Sequence, residues 1–266
     1  MILQIIVNCA ILTLVYILTK DITSKYIALI PTIISAVLLW TIELADINAL
    51  IGLLLIMLAA LIIFHYYDRM ANKNSQLRGI VPMGIFIGLL AIIRIDMASY
   101  MYGLFFWAMF WAGMADVEGL KLTLPNRAIR GFGQGVFFTT IVVATLVPFV
   151  AYYISQGTIG EVLDTAAAVF VDGYRNMKLP NPLTDTLFSI IYYSPMLVVL
   201  VSVAMLIVRN RRRILRANTP LFWKEMLIMN LCWNIFNYAT LTPDIAHTVP
   251  SMIFASMLLP LFLRTK

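Results

Sequence analysis

Long apolar runs, separated by short charged clusters, restrict the folds open to this chain more than any other feature. Residues 2–19 read "ILQIIVNCAILTLVYILT", residues 28–42 "ALIPTIISAVLLWTI", residues 49–64 "ALIGLLLIMLAALIIF" and residues 136–154 "VFFTTIVVATLVPFVAYYI". Each approaches or reaches the roughly 20 residues with which a helix crosses a hydrocarbon core about 30 Å thick. A segment immersed in lipid must satisfy its backbone N–H and C=O groups internally, so helices are the expected spanning structure. Charge is scarce as well: 62% of the chain is apolar and only 12% charged, against roughly 25% charged in soluble domains. The sequence predicts an all-α, polytopic helical membrane protein with about 8–9 transmembrane helices, near residues 2–19, 28–44, 48–65, 80–95, 98–115, 136–154, 184–207, 226–242 and 245–263.

Lys and Arg set the orientation of such a chain, because cytoplasmic connections retain them. With the N-terminus outside, the cytoplasmic connections hold Lys20 and Lys25, then Arg69, Lys73 and Arg78, then Lys121, Arg127 and Arg130. They also hold Arg209, Arg211, Arg212, Arg213, Arg216 and Lys224, with Arg264 and Lys266 at the end of the sequence. Only Arg94, Arg175 and Lys178 fall outside, where acids such as Glu43, Asp46, Glu161 and Asp164 gather. The imbalance predicts an N-out, C-in, multi-pass protein of the cell membrane. It also accounts for the net charge of +6 without a nucleic-acid partner.

Residues 1–266 read as a single integral-membrane domain, in which 136–266 supply the C-terminal helices. An outer connection near 155–183 contains "IGEVLDTAAAVFVDGY", whose apolar residues suit an amphipathic helix lying at the interface. A basic cytoplasmic loop near 208–224 contains "RNRRRILR", a stop-transfer cluster suited to anionic lipid heads. The first apolar run has no basic n-region and no small-residue cleavage site after it, so a retained span is expected rather than a signal peptide. Cys9 and Cys232 lie in apolar segments without metal or disulfide spacing, and His65 and His247 have no ligand-spaced partners, so neither a metal nor a cofactor is expected. "GFGQG" at 131–135 follows no strand and precedes no Lys-Ser/Thr, which makes it a flexible connector rather than a phosphate loop. The segment 116–124, "DVEGLKLTL", is too short and charged to span and suits a partly immersed helix ended by Pro125.

Ionisable residues near membrane depth are costly and therefore point to function. Two aspartates stand out in residues 1–135. Asp21 lies in "LTKDITSKYIAL", where the first span ends, and Asp116 in "GMADVEGLK", where the fifth ends. Four spans separate them, and an even number of crossings returns the chain to the same face, so both belong to cytoplasmic helix ends at similar depth. Two carboxyl groups a few ångströms apart share a proton: the ionised member can act as general base on water, and the protonated one can donate to a scissile carbonyl. Gly113 permits close backbone approach or local unwinding beside Asp116. Glu118 and Asp68, in "HYYDRM", are secondary acids on the same side, with Asp68 the reserve member of a pair.

The residues around both aspartates carry a resemblance. "GMADVEGLK" is similar to the G-x-(hydrophobic)-D motif of membrane aspartic proteases related to presenilin, with Gly113, Ala115 and Asp116 matching. It is closer still to the G-x-A-D-V-x-x-L pattern of archaeal prepilin and preflagellin (archaellin) peptidases. "DITSKYI" resembles the first-aspartate motif of that family, D-I-x-x-[KR]-x-I, through Asp21, Ile22, Lys25 and Ile27. The family's Pro-Asn after the isoleucine is replaced here by Ala28-Leu29, and the interval between the aspartates is longer by about one helical hairpin. The zinc-binding cysteine pairs of many bacterial members are absent. The resemblance implies a presenilin-like helical bundle and an aspartic endopeptidase without metal or organic cofactor. Its partners would be membrane lipids and precursors with a short basic leader and a hydrophobic helix, cut at the cytoplasmic face. A proton-coupled transporter and an inactive scaffold of a pilus or archaellum secretion machine remain the alternative readings.

Overall fold

The computed structural model describes residues 2–41, 47–68, 76–114, 123–175, 185–210, 220–240 and 245–263. Among them every regular element is helical: α1 (Ile2–Ile22), α2 (Leu29–Thr41), α3 (Ile47–Asp68), α4 (Gln76–Ile93), α5 (Ile95–Met114), α6 (Leu124–Ser155), α7 (Ile159–Arg175), α8 (Thr186–Asn210), α9 (Pro220–Ala239), α10 (Ile245–Leu258) and α11 (Pro260–Leu263). The all-α expectation holds. Four helical stretches, Ile2–Ile22, Ile47–Asp68, Leu124–Ser155 and Thr186–Val208, are long and apolar enough to cross a membrane by length and composition. Their outward surfaces agree: Ile5 and Ile6 on α1, Val143 and Val147 on α6, and Leu197 and Leu200 on α8 are all exposed. Apolar surface on that scale suits contact with lipid. Pro82, Pro148, Pro195 and Pro250 lie inside helices, as membrane helices tolerate more readily than soluble ones.

The contacts divide the chain into two compact units, with α3 passing from one to the other at Met57–Leu58. The first contains α1, α2, the start of α3 and α8–α11. Its centre is α10, which packs against α9, α8, α2 and α1 and buries Val249, Ile253, Phe254, Met257 and Leu258 completely. A helix apolar on every face belongs in an interior. Small hydroxyl residues on α10 let its neighbours approach, and Ser256 faces the Ser35 hydroxyl of α2 at 3.4 Å. Cys232 of α9 is buried, and its thiol donates to the Ser251 carbonyl of α10 at 3.3 Å, in keeping with a packing role. Tyr192 of α8 is fully buried against Phe236 and donates to the Ala239 carbonyl at 3.4 Å, which ties α8 to the end of α9.

The second unit contains the end of α3 and α4–α7. Arg94 separates α4 from α5, and its guanidinium pairs with Asp96 at 2.9 Å, so the charges expected in this connection neutralise each other. The core is the packing of α6 against α5 and α4, and it corrects two expectations. "GFGQG" is not a connector. It is helical and lies within α6, which starts at Leu124 rather than near 136, with Pro125 in its first turn, where a missing N–H costs nothing. Pro125 therefore opens a helix; of the segment expected to end at it, all but the last two residues lie outside the described residues.

The reason lies in close approach. A methyl group on Gly131 would run into the Phe110 carbonyl oxygen of α5, and one on Gly113 would run into the Gly131 backbone. One on Gly135 would meet the Phe106 ring, and on α4 the same holds for Gly84 against Ile141 and Gly88 against Thr145. Two Gly-x-x-x-Gly pairs, 84–88 and 131–135, thus present flat strips to neighbouring helices. In lipid such van der Waals contact replaces the hydrophobic drive that packs soluble helices. Gly133 faces open space, so Gly133→Ala is expected to leave packing intact. Ala's better helix propensity should raise unfolding stability in mild detergent by up to about 1 kcal/mol.

Helix α7 forms within the connection expected to hold an amphipathic helix. Leu163 and Val171 on it are exposed, alongside Glu161 and Asp164.

Candidate active site

Asp21 is the penultimate residue of α1, where Thr23 and Ala28 continue the backbone bonding to the Thr19 and Ser24 carbonyls. Helix α1 buries one stripe, Val7, Ile11, Leu14, Val15, Leu18 and Ile22, spaced three and four apart. Asp21 lies off that stripe, with its side chain 29% exposed, and so keeps contact with solvent. Lys25 is exposed and its ammonium lies over the Tyr26 ring at 4.9 Å from the centroid. Ile27 is half-buried at the turn into α2.

The charge nearest Asp21 is one that counting by position had assigned to a loop. Lys224, expected in the basic connection near 208–224, instead occupies the second turn of α9, because that helix begins at Pro220 rather than near 226. Proline suits the first helical position, and it moves the start of the helix back to include Lys224 and Glu225. The Lys224 side chain is only 6% exposed, and its Nζ lies 3.7 Å from Asp21 Oδ2. The next residue, Glu225, is fully buried on a different face of α9, since consecutive helical residues point about 100° apart. It lines a small pocket with Ser202, Met205, Leu206, Met229, Leu261 and Phe262.

Gly113 is the penultimate residue of α5. It is buried and helical, so its role in this structure is close approach to α6, not unwinding. The Arg130 Nε donates to the Gly113 carbonyl at 2.5 Å, which sets a positive charge on the negative end of the α5 dipole. Gln134 is buried one turn along α6, where its Oε1 accepts from the Tyr66 hydroxyl of α3 at 3.1 Å. Arg130, Gln134 and Tyr66 therefore fix the end of α5, the helix that leads to Asp116. None of the three had been singled out from sequence, although Gln134 inside an apolar run was a visible signal. Tyr66→Phe removes that one bond and is expected to lower the unfolding stability of the purified protein by about 1 kcal/mol.

Asp116, Ala115 and Glu118 lie outside the described residues. Asp68 ends α3 in the second unit, with an exposed side chain. The structure thus places Asp21 beside Lys224 in the first unit, and Gly113 beside Arg130 and Gln134 in the second. Compared with known proteins, the chain matches no family model, no curated protein and no solved structure.

Proposed function

We propose that this chain is a membrane aspartic endopeptidase that removes short basic leader peptides from type IV pilin-like or archaellin precursors. Asp21 and Asp116 would be its acid–base pair. The observation that carries the reading is where the two motif sequences begin: "DITSKYI" starts in the last two residues of α1, and "GMADVEGLK" in the last two of α5. Four helices, α2–α5, run between these points. An N-out, C-in arrangement of about 8–9 spans would have each of the four cross, which would return the chain to the face it left and put both acids at the cytoplasmic face of the cell membrane.

The chemistry follows from that pairing. One carboxylate takes a proton from water as it attacks the scissile carbonyl, and the other, protonated, donates to the carbonyl oxygen. The proton then passes to the leaving amine and the pair returns to its starting state. No step calls for a metal or an organic cofactor. Solvent contact at Asp21 suits a group that must receive water.

The acids of the helices that qualify as spans also bear on the proton-coupled carrier. Asp21 and Asp68 occupy helix ends, whereas a carrier places its ionisable groups near mid-membrane. The test is co-expression with a panel of pilin-like precursors, comparing the parent with Asp21→Asn and Asp116→Asn. Loss of leader removal in both, with normal insertion, supports the peptidase. A parental rate in either removes the pair. Acid-dependent solute flux without any cleavage would establish the carrier instead, and a parent that cuts no precursor but is needed for pilus assembly would establish the scaffold.

A further inference from the structure

We infer that α7 is a surface anchor that docks on the lipid surface at the end of α6 remote from Arg127 and Arg130. Leu163, Ala167 and Val171 sit among the acyl chains, Glu161 and Asp164 stay in water, and the headgroups it takes carry no net negative charge. All of these residues belong to the second unit, and the anchor does not depend on the peptidase reading.

Helix α6 fixes where that surface lies. It is long and apolar enough to cross a membrane, and no charged residue interrupts it between Arg130 and Tyr152. Those two are 22 positions apart, about 33 Å of helix, close to the roughly 30 Å of a hydrocarbon core. Tyr152 and Tyr153 are exposed, with their rings edge to face at 5.5 Å between centroids. Tyrosines collect at headgroup level. Arginine at one end of the interval and tyrosines at the other therefore mark its two faces.

Helix α7 begins at the tyrosine face. There α6 ends in a glycine cap: Gly157 has φ 71°, its N–H donates to the Ile154 carbonyl, and the Thr158 N–H donates to the Tyr153 carbonyl. Only Thr158 separates Gly157 from Ile159, where α7 starts. So short a connection keeps α7 at the end of α6.

The side chains of α7 sort by face. Ile159, Val162 and Ala166, spaced three and four apart, form a half-buried stripe on a helix that touches α5 and α6. Leu163, Ala167 and Val171, four apart, form an adjoining apolar stripe that the protein leaves exposed. Exposed Glu161 and Thr165 lie about 160° round the helix from Leu163, and Asp164 about 100°. A helix with half of its apolar arc open and its acids on the other side is suited to lie in a membrane surface. A second copy of the chain fits less well, since three aliphatic side chains fall far below the roughly 800 Å² per partner of a stable interface. Glu161 and Asp164 are the charges among the described side chains of α7. Negative groups held at headgroup level are repelled by an anionic surface, which sets the lipid class.

Spin labels on the full chain in phosphatidylcholine vesicles test the anchor. Cys9 is exposed and is first replaced by Ser, whereas Cys232 is buried and stays. Labels at Leu163→Cys and Val171→Cys should collide with oxygen severalfold more often than with a neutral nickel chelate, and labels at Glu161→Cys and Asp164→Cys should do the reverse. Nickel access at position 163 equal to that at 164 overturns the inference, because the stripe then lies in water. Shielding of position 163 from both reagents also overturns it, because a second copy or another protein then covers the stripe.

Replacing half of the lipid by phosphatidylglycerol tests the headgroup preference. The oxygen-to-nickel ratio at Leu163→Cys should fall by at least about twofold, and adding Glu161→Gln with Asp164→Asn should restore it. An equal ratio in both vesicles overturns the preference. So does a fall that the neutralised variant shares, since other charges then cause it.

Discussion

On the peptidase reading, Asn at position 21 or 116 is expected to leave an inserted protein that removes leaders about 10²- to 10⁴-fold more slowly, the range lost when an acid–base group is deleted. Asn matches Asp in shape and keeps a polar contact, but it can neither take a proton from water nor give one to the carbonyl oxygen. The two losses should not add. A pair that works through one shared proton fails as a unit, so the double variant is expected to be no slower than either single one. Asp68→Asn provides the contrast. Its parent residue ends α3 with an exposed side chain, and its substitution should leave the rate unchanged. The readout is the mobility shift of precursors co-expressed with each variant, alongside the amount of protein recovered in membranes. If Asp68→Asn stops cleavage and Asp116→Asn does not, the second acid has been misassigned.

The largest effect on stability is expected at Gly131. A side chain there meets the Phe110 carbonyl oxygen, which is backbone and cannot rotate away. Helix α6 must then move off α5 along the strip where Gly113, Gly131 and Gly135 lie in contact. Gly131→Val should destabilise the protein by about 3 kcal/mol, the upper end for overpacking. The measurement is the midpoint of thermal unfolding in mild detergent. Gly133→Ala, two residues away on an open face, serves as the internal reference. The same displacement carries Arg130 away from the Gly113 carbonyl, so cleavage should fall together with stability although Gly131 touches no reacting group. An unfolding midpoint equal to that of the parent would mean that α5 and α6 do not approach as closely as described.

Hydropathy alone located most helices, because apolar length is a direct physical requirement of lipid. The expected segments 2–19, 48–65 and 184–207 became Ile2–Ile22, Ile47–Asp68 and Thr186–Asn210. Errors arose where local propensity and tertiary packing disagree. Glycine is a poor helix former in water, so "GFGQG" read as a connector. Inside α6 the same residues are what allow two backbones to touch, and contact outweighs propensity. Lys224 was misread for a related reason. Counting charges by position treats every lysine as a loop marker, whereas Pro220 starts a helix early enough to carry this one into the interior. The place of Asp21 at the end of α1 was legible from the apolar run before it. Its cationic partner, 203 positions later in the chain, belongs to tertiary structure and leaves no local trace.

Helix α6 has 32 residues, which at 1.5 Å per residue extend about 48 Å, well beyond the 30 Å or so of a hydrocarbon core. A rod that long must either lean steeply or let one end emerge among the headgroups. Its first turns hold Arg127 and Arg130, and its later turns hold Val143, Val147 and Val150 exposed. Emergence at the arginine end meets both demands. That end stands beside the carbonyl terminus of α5, so Gly113 and Met114 would lie at the level of the headgroups. There, local water content and lipid charge, more than hydrocarbon, would set the medium around the end of α5.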